Sequence, residues 1–266
     1  MLISQLVQYM RLEMDHALRF ILMAAVVIAV VSYISLAHAG VVVMGTRVIY
    51  PSDEREVSVK LSNQGKSPAL VKVWIDNGDE REIPENISAP FTLTPPIFRL
   101  DPQNGQTLRL SYVEGEGLAG DKESMFWLNV LEVPPKPKAD RGANYIHLAY
   151  RTRIKLFFRP ANLKGEAAEA PANIVWTVKL DGGDKGYALK AENPSPYFVN
   201  FRDIALLSNG RTYEAKSGFI APGESKLFYF KDMAEIHSDN AEVIYTSIND
   251  WGAGAQGRQL IRINHP

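Results

Sequence analysis

Asn144-Tyr145-Ile146-His147-Leu148-Ala149-Tyr150-Arg151-Thr152-Arg153-Ile154-Lys155-Leu156-Phe157-Phe158 is the longest strand candidate in the chain. Side chains on a strand point alternately to its two faces. Alternation puts Ile146, Leu148, Tyr150 and Thr152 on one face and Tyr145, His147, Ala149 and Arg151 on the other. A charged, proline-rich loop, Pro134 to Arg141, precedes the run, and the basic residues Arg151, Arg153 and Lys155 lead into Leu156-Phe157-Phe158. Two readings follow. The run is a plain central strand fed by a solvated loop, or it is an exposed edge strand. Proteins normally protect such an edge, because its unpaired N–H and C=O groups invite pairing with another chain.

Short strand patterns continue on both sides of this run. Glu56 to Leu61 alternates through Val57, Val59 and Leu61, and Ala69 to Ile75 through Val71, Val73 and Ile75. Leu108–Tyr112 and Met125–Val133 follow. Asn63-Gln64-Gly65, Asn77-Gly78, Pro95-Pro96 and Asn104-Gly105 supply turns between them. After Arg159-Pro160 and an alanine- and glutamate-rich stretch, strand patterns resume at 174–180, 187–192, 198–207, 225–230 and 241–248. No segment after residue 40 sustains a 3.6-residue apolar stripe. The pattern predicts an all-β chain, with an antiparallel sandwich of about seven short strands in its first half. The expected organisation is a leader over 1–39, a first domain over 40–160 and a second over 161–266.

Composition fits this. The chain has 266 residues, 46% hydrophobic, which supports two ordinary cores. A net charge of -1 gives no reason to expect nucleic acid. The absence of cysteine removes disulfides, thiol catalysis and thiolate metal sites together. Near the start, Arg11 and Arg19 precede an apolar run from Phe20 to Leu36 that ends at Ala37-His38-Ala39. That layout is a secretory signal peptide cleaved after Ala39. The competing reading is an uncleaved membrane anchor, since the run approaches spanning length. The stretch before it is long for a leader, so Met14 competes with Met1 as the start.

Enzyme signals are weak. His147, His237 and His265 have no metal-ligand spacing, and there is no Gly-x-Ser-x-Gly elbow. Gly252 to Gly257 follows Asn249-Asp250-Trp251 and reads as a loop rather than a nucleotide site. Scattered carboxylates give a paired-carboxylate hydrolase no support. No cofactor, metal site or catalytic residue is expected.

Several blocks resemble periplasmic pilus chaperones of the chaperone–usher pathway. They are Gly45-Thr46-Arg47-Val48-Ile49-Tyr50-Pro51, Thr94-Pro95-Pro96-Ile97-Phe98-Arg99-Leu100, Glu123-Ser124-Met125-Phe126-Trp127 and Arg153-Ile154-Lys155-Leu156-Phe157-Phe158-Arg159-Pro160. Glu192-Asn193-Pro194-Ser195-Pro196-Tyr197-Phe198, Ala221-Pro222-Gly223-Glu224-Ser225 and Ile248-Asn249-Asp250-Trp251-Gly252 complete the set, in order, across Gly40 to Asn264. The resemblance implies two immunoglobulin-like β-sandwich domains set at an angle with a cleft between them. It implies a binding protein without enzymatic activity, which inserts its long edge strand into the groove of an incomplete pilin subunit and delivers that subunit to an outer-membrane usher.

On this resemblance, Arg47 and Lys155 match the pair that grips the subunit's C-terminal carboxylate. Ile146, Leu148 and Tyr150 match the donor-strand positions, although the last is usually aliphatic in the family. Glu123, Arg159 and Asp250 match an ion network between the domains. The loop from Pro134 to Asn144 is a few residues longer than in short-loop members, but the cysteine pair typical of the long-loop class is absent, which favours the short-loop class. The implied partners are pilin subunits, the usher and, for the free form, a self-capping second copy; the implied compartment is the periplasm. An exported immunoglobulin-like adhesion module and a secreted β-sandwich hydrolase are the competing classes.

Overall fold

The computed structural model describes residues 40–113, 117–136, 146–180, 187–230 and 240–262, together with Met23. The expected leader, apart from Met23, lies outside the described residues, as do Asn144, Tyr145 and the 137–143 part of the preceding loop. Secondary structure is almost entirely strand, as expected, with two short 3-10 turns among the described residues.

The first sandwich comprises β1 (Val41–Val43), β2 (Arg47–Pro51), β3 (Val57–Asn63), β4 (Ala69–Asp76), β5 (Phe91–Thr94), β6 (Ile97–Leu100), β7 (Gly105–Tyr112), β8 (Ser124–Val133) and β9 (Tyr150–Arg159). One sheet runs β1-β3-β7-β5 and the other β2-β9-β8-β4-β6. The inward faces are those that alternation predicts: Val59 and Leu61 from β3, Val71, Val73 and Ile75 from β4, and Leu108 and Leu110 from β7 meet in one core. The short strands β1, β2, β5 and β6 have too few residues for their period to be read from sequence.

The second sandwich comprises β10 (Val175–Leu180), β11 (Tyr187–Glu192), β12 (Val199–Ser208), β13 (Arg211–Ala215), β14 (Gly218–Ile220), β15 (Ser225–Tyr229), β16 (Asn240–Ile248) and β17 (Gly254–Arg262). Its sheets are β10-β11-β15 and β13-β12-β16-β17, with β14 also on β12. Asn209 and Gly210 both take positive φ and join the paired residues Ser208 and Arg211, which is the turn a tight hairpin requires. The segment after Pro160 is packed: Leu163, Ala167 and Ala170 lie on the second core, and the Tyr197 hydroxyl donates to the Gly165 carbonyl.

Two sequence expectations need correction. The glycine-rich stretch 252–257 is not all loop, because Gly254 starts β17, which pairs with β16 along its whole length. Gly257 stands opposite Tyr245, whose ring occupies the space a side chain at 257 would need. The long strand begins at Tyr150, not Asn144, and at 10 residues it is matched by β8 and β12. Ile146 to Ala149 make no ladder.

Both readings of that strand hold, each for one half. From Lys155 to Arg159, β9 is central, with β2 parallel on one side and β8 antiparallel on the other. From Tyr150 to Ile154 it pairs with β8 alone and is an edge.

Candidate functional site

The even-numbered face of β9 passes out of the core as it approaches the edge. Ile154, Leu156 and Phe158 are 9%, 0% and 6% exposed, whereas Ile146, Leu148 and Tyr150 are 89%, 57% and 61% exposed. Tyr150 opens the strand, and Ile146 and Leu148 lie in the unpaired segment just before it. Three large apolar side chains at alternate positions thus stand uncovered in the free chain, which sets them apart from a singly exposed residue.

The odd-numbered face points the other way. β2 and β9 lie in register with Arg47 opposite Lys155. Val48 and Tyr50 turn into the core, as do Leu156 and Phe158, so Arg47 and Lys155 share the face turned toward the second sandwich. There Arg47 Nη1 donates to the Ile248 carbonyl at 3.1 Å. The Lys155 ammonium donates to Asn200 Oδ1 and lies 4.3 Å from the centre of the Phe219 ring. Both cations are partly withdrawn from water. Burial lowers the Arg47 pKa against the pull of Asp250. Burial, reinforced by Arg47 and Lys226, lowers Lys155 to about 8. Among the described residues neither cation has a carboxylate within ion-pairing distance, and Arg47 Nε is buried without a hydrogen-bond partner. Two adjacent desolvated cations with spare donors have the chemistry to hold an anion.

Beside them lies a cavity of about 210 Å³ between the sandwiches, lined by Arg47, Glu123, Phe157, Arg159, Asn200 and Asp250 among others. Arg159, at the end of β9, joins the two carboxylates. Its Nε donates to Glu123 at 2.7 Å, and its Nη1 and Nη2 donate to Asp250 at 2.7 and 2.9 Å. Glu123 also accepts from the Phe198 amide at 2.8 Å, and its own amide donates to the Pro196 carbonyl. Burial pushes the Glu123 carboxyl up despite these partners, while the two carboxylates hold Arg159 charged. This knot ties the first sandwich to two loops of the second. Replacing Arg159 with Met leaves Glu123 buried without its cation, at a cost of about 3 kcal/mol. The thermal midpoint should fall by roughly 6–12 °C for a chain of this size, and the double variant with Glu123→Gln should recover part of the loss in a melting scan.

The sequence reading named Arg47, Lys155, Glu123, Arg159 and Asp250, and all five gather at this cleft. It missed Asn200, Phe219 and Lys226. Asn200 is a buried amide between Val199 and Phe201, an anomaly visible in sequence. Phe219 and Lys226 gave no such sign, because only the pairing of β14 with β12 brings Phe219 beside Asn200.

Comparisons with known proteins agree with this architecture. Residues 40–164 match the family model described as the pili and flagellar-assembly chaperone PapD N-terminal domain. Residues 169–259 match the C-terminal domain of the pili assembly chaperone PapD. The probable fimbrial chaperone YadV of Escherichia coli K12 is 42% identical over 228 residues, covering 85% of this chain and 92% of that one. The chaperone protein FimB/FhaD of Bordetella pertussis is 40% identical, covering 81% and 86%. The crystal structure of the YadV chaperone superposes with a TM-score of 0.72 at 39% identity, over 84% of this chain and all of that one. With both family models matched in order and the two-sandwich fold in common, the chain belongs to the PapD family of pilus-assembly chaperones, a family of chaperones and not of enzymes.

Proposed function

We propose that this chain is a periplasmic chaperone that holds pilin subunits by donor-strand complementation and hands them to an outer-membrane usher. The observation that carries the reading is a run of even-numbered side chains buried at Ile154 and Leu156 in β9 and bare at Tyr150 and, in the segment leading into the strand, at Leu148 and Ile146. A subunit lacking one strand supplies the missing cover. Its edge pairs with the unpaired side of β9, and its groove takes the three side chains in alternation. Residues 40–160 form the gripping domain, and 161–266 close the cleft.

Strand pairing alone leaves register loose, because the backbone ladder repeats. Arg47 and Lys155 remove that freedom by holding the subunit's C-terminal carboxylate, the one anion every subunit carries at a fixed distance from its last strand. Glu123, Arg159 and Asp250 keep the second sandwich placed so that Asn200 and Phe219 flank the anchor. In the free chain a second copy caps the same bare face. Export uses the leader over 1–39, cleaved after Ala39.

Co-purification from a periplasmic extract tests the reading. A one-to-one complex with a smaller β-rich subunit is expected, and the intact mass of this chain should begin at Gly40. A chain recovered alone at every expression level, or displayed on the cell surface, would sink the proposal. A membrane-bound chain that retains residues 20–36 would overturn the leader cleavage only.

A further inference from the structure

The outward face of the edge half of β9 carries an arrangement with no part in gripping the carboxylate. Asp76, at the end of β4, has no exposed surface. It accepts from Asn129 Nδ2 of β8 at 2.7 Å, from the Gly78 amide at 2.7 Å and from Arg153 of β9 through Nε at 3.2 Å and through Nη2. Arg151, two residues nearer the bare end of β9, donates through Nε to Asn129 Oδ1 at 2.8 Å and through Nη1 to the Glu80 carbonyl at 2.8 Å. Its Nη2 reaches Asp76 at 3.5 Å. The guanidinium of Arg151 lies 5.0 Å from the Trp74 ring centre and that of Arg153 4.3 Å from Trp127. Three adjacent strands and the loop after β4 are thus joined through one buried carboxylate.

Burying an acid with two arginines is a poor route to stability, since an apolar strip of the same volume does as well or better. What directed donors supply is geometry. The geometry is fixed at Arg151 and Arg153, where β9 has lost β2 on one side and the opposing sheet on its even face. A strand with one paired edge and one bare face should fray. Here the odd face is clamped.

We propose that Asp76, Asn129 and Arg151 are positioning residues that hold the bare half of β9 extended before a subunit arrives. The inference rests on the donor-strand role of Ile146, Leu148 and Tyr150, and it adds pre-organisation, from the opposite face, of the Tyr150–Ile154 stretch from which that segment extends. If the extended form is the binding-competent one, loosening the clamp lowers its population and the apparent affinity in proportion. The loss appears in association, because the contacts made once bound are untouched.

The test uses the mature chain with Arg151→Ala and Arg151→Lys, chosen because Arg151 is partly exposed and its removal leaves Arg153 on Asp76. Amide exchange is measured on the free chain. Association and dissociation are measured with the subunit that co-purifies with the wild type, presented unfolded. In Arg151→Ala the amides of Tyr150 to Thr152 should exchange roughly tenfold faster, and association should slow by about the same factor. Dissociation should stay within about twofold, since bound contacts are unchanged. Arg151→Lys should behave alike, because one ammonium cannot make both directed bonds. Unchanged exchange with faster dissociation would make Arg151 a direct subunit contact and overturn the proposal. So would faster exchange spread over the whole first sandwich with a lower thermal midpoint, or full rescue by lysine. If no subunit co-purifies with the wild type, the donor-strand reading fails, and exchange on the free chain still decides whether the clamp exists.

Discussion

Leu148→Glu leaves the chain folded and abolishes recovery of subunit. Leu148 is 57% exposed in the free chain and makes no part of either core. A carboxylate there meets water, and the thermal midpoint should move by no more than about 2 °C, as for other surface changes. In the complex the same side chain enters an apolar groove. The lost burial is worth roughly 1.5–3 kcal/mol, and a carboxylate without a partner in that groove adds a further penalty. Affinity should fall by at least about 100-fold. Leu156→Glu is the control. It lies within β9, at an even position like Leu148, but is 0% exposed among Val48, Tyr50 and Phe126 in the first core. That variant should not accumulate as folded protein. The pair of outcomes is checked by circular dichroism melts and subunit titration. If Leu148→Glu melts the first sandwich as Leu156→Glu does, the segment around Leu148 is ordinary core and the donor-strand mechanism fails.

The contrast between Leu148 and Leu156 also marks how far sequence could reach. Both are leucines at even positions of the run, and alternation predicts one shared face, but the ladder starts only at Tyr150 and leaves Leu148 before it. Which of them is covered depends on where the opposing sheet stops, and no local pattern in β9 records that. The division of β9 into central and edge halves has the same origin, since it is set by β2, a five-residue strand too short to be read by period. Family blocks did name Arg47, Lys155, Glu123, Arg159 and Asp250, because those charges sit beside apolar strand residues in recognisable order. They left out Asp76 and Asn129. Asp76 ends a strand just before Asn77-Gly78 and reads as an ordinary turn acid; its burial under two arginines arises only from the lateral order β4-β8-β9.

Lys155→Met should separate binding from stability. Burial, with smaller contributions from the facing cations Arg47 and Lys226, lowers the ammonium's pKa to about 8 from an ordinary 10.5. Removing the charge relieves that repulsion, so the free chain should melt at the same temperature or higher, even though Asn200 Oδ1 loses its donor. The subunit carboxylate loses a charge-assisted hydrogen bond worth roughly 1.5–3 kcal/mol, and affinity should fall about 10- to 150-fold. Arg47→Ala should act in the same direction on binding. Wild-type pH dependence follows from the same depression. Between pH 8 and 10.5 the unfolded chain keeps the Lys155 proton that the free folded chain has released, so this residue makes the folded chain more stable as pH rises through that window. Binding runs the opposite way. A carboxylate beside Lys155 restores the proton, so complex formation takes up a proton above pH 8, and affinity should decline with rising pH by at most about tenfold per unit. Titration calorimetry in buffers of different ionisation enthalpy detects that proton. Lys155→Met should show neither the uptake nor the slope. A wild-type affinity that stays flat from pH 7 to about 9.5, with no proton taken up, would overturn the predicted coupling between the Lys155 proton and the bound carboxylate.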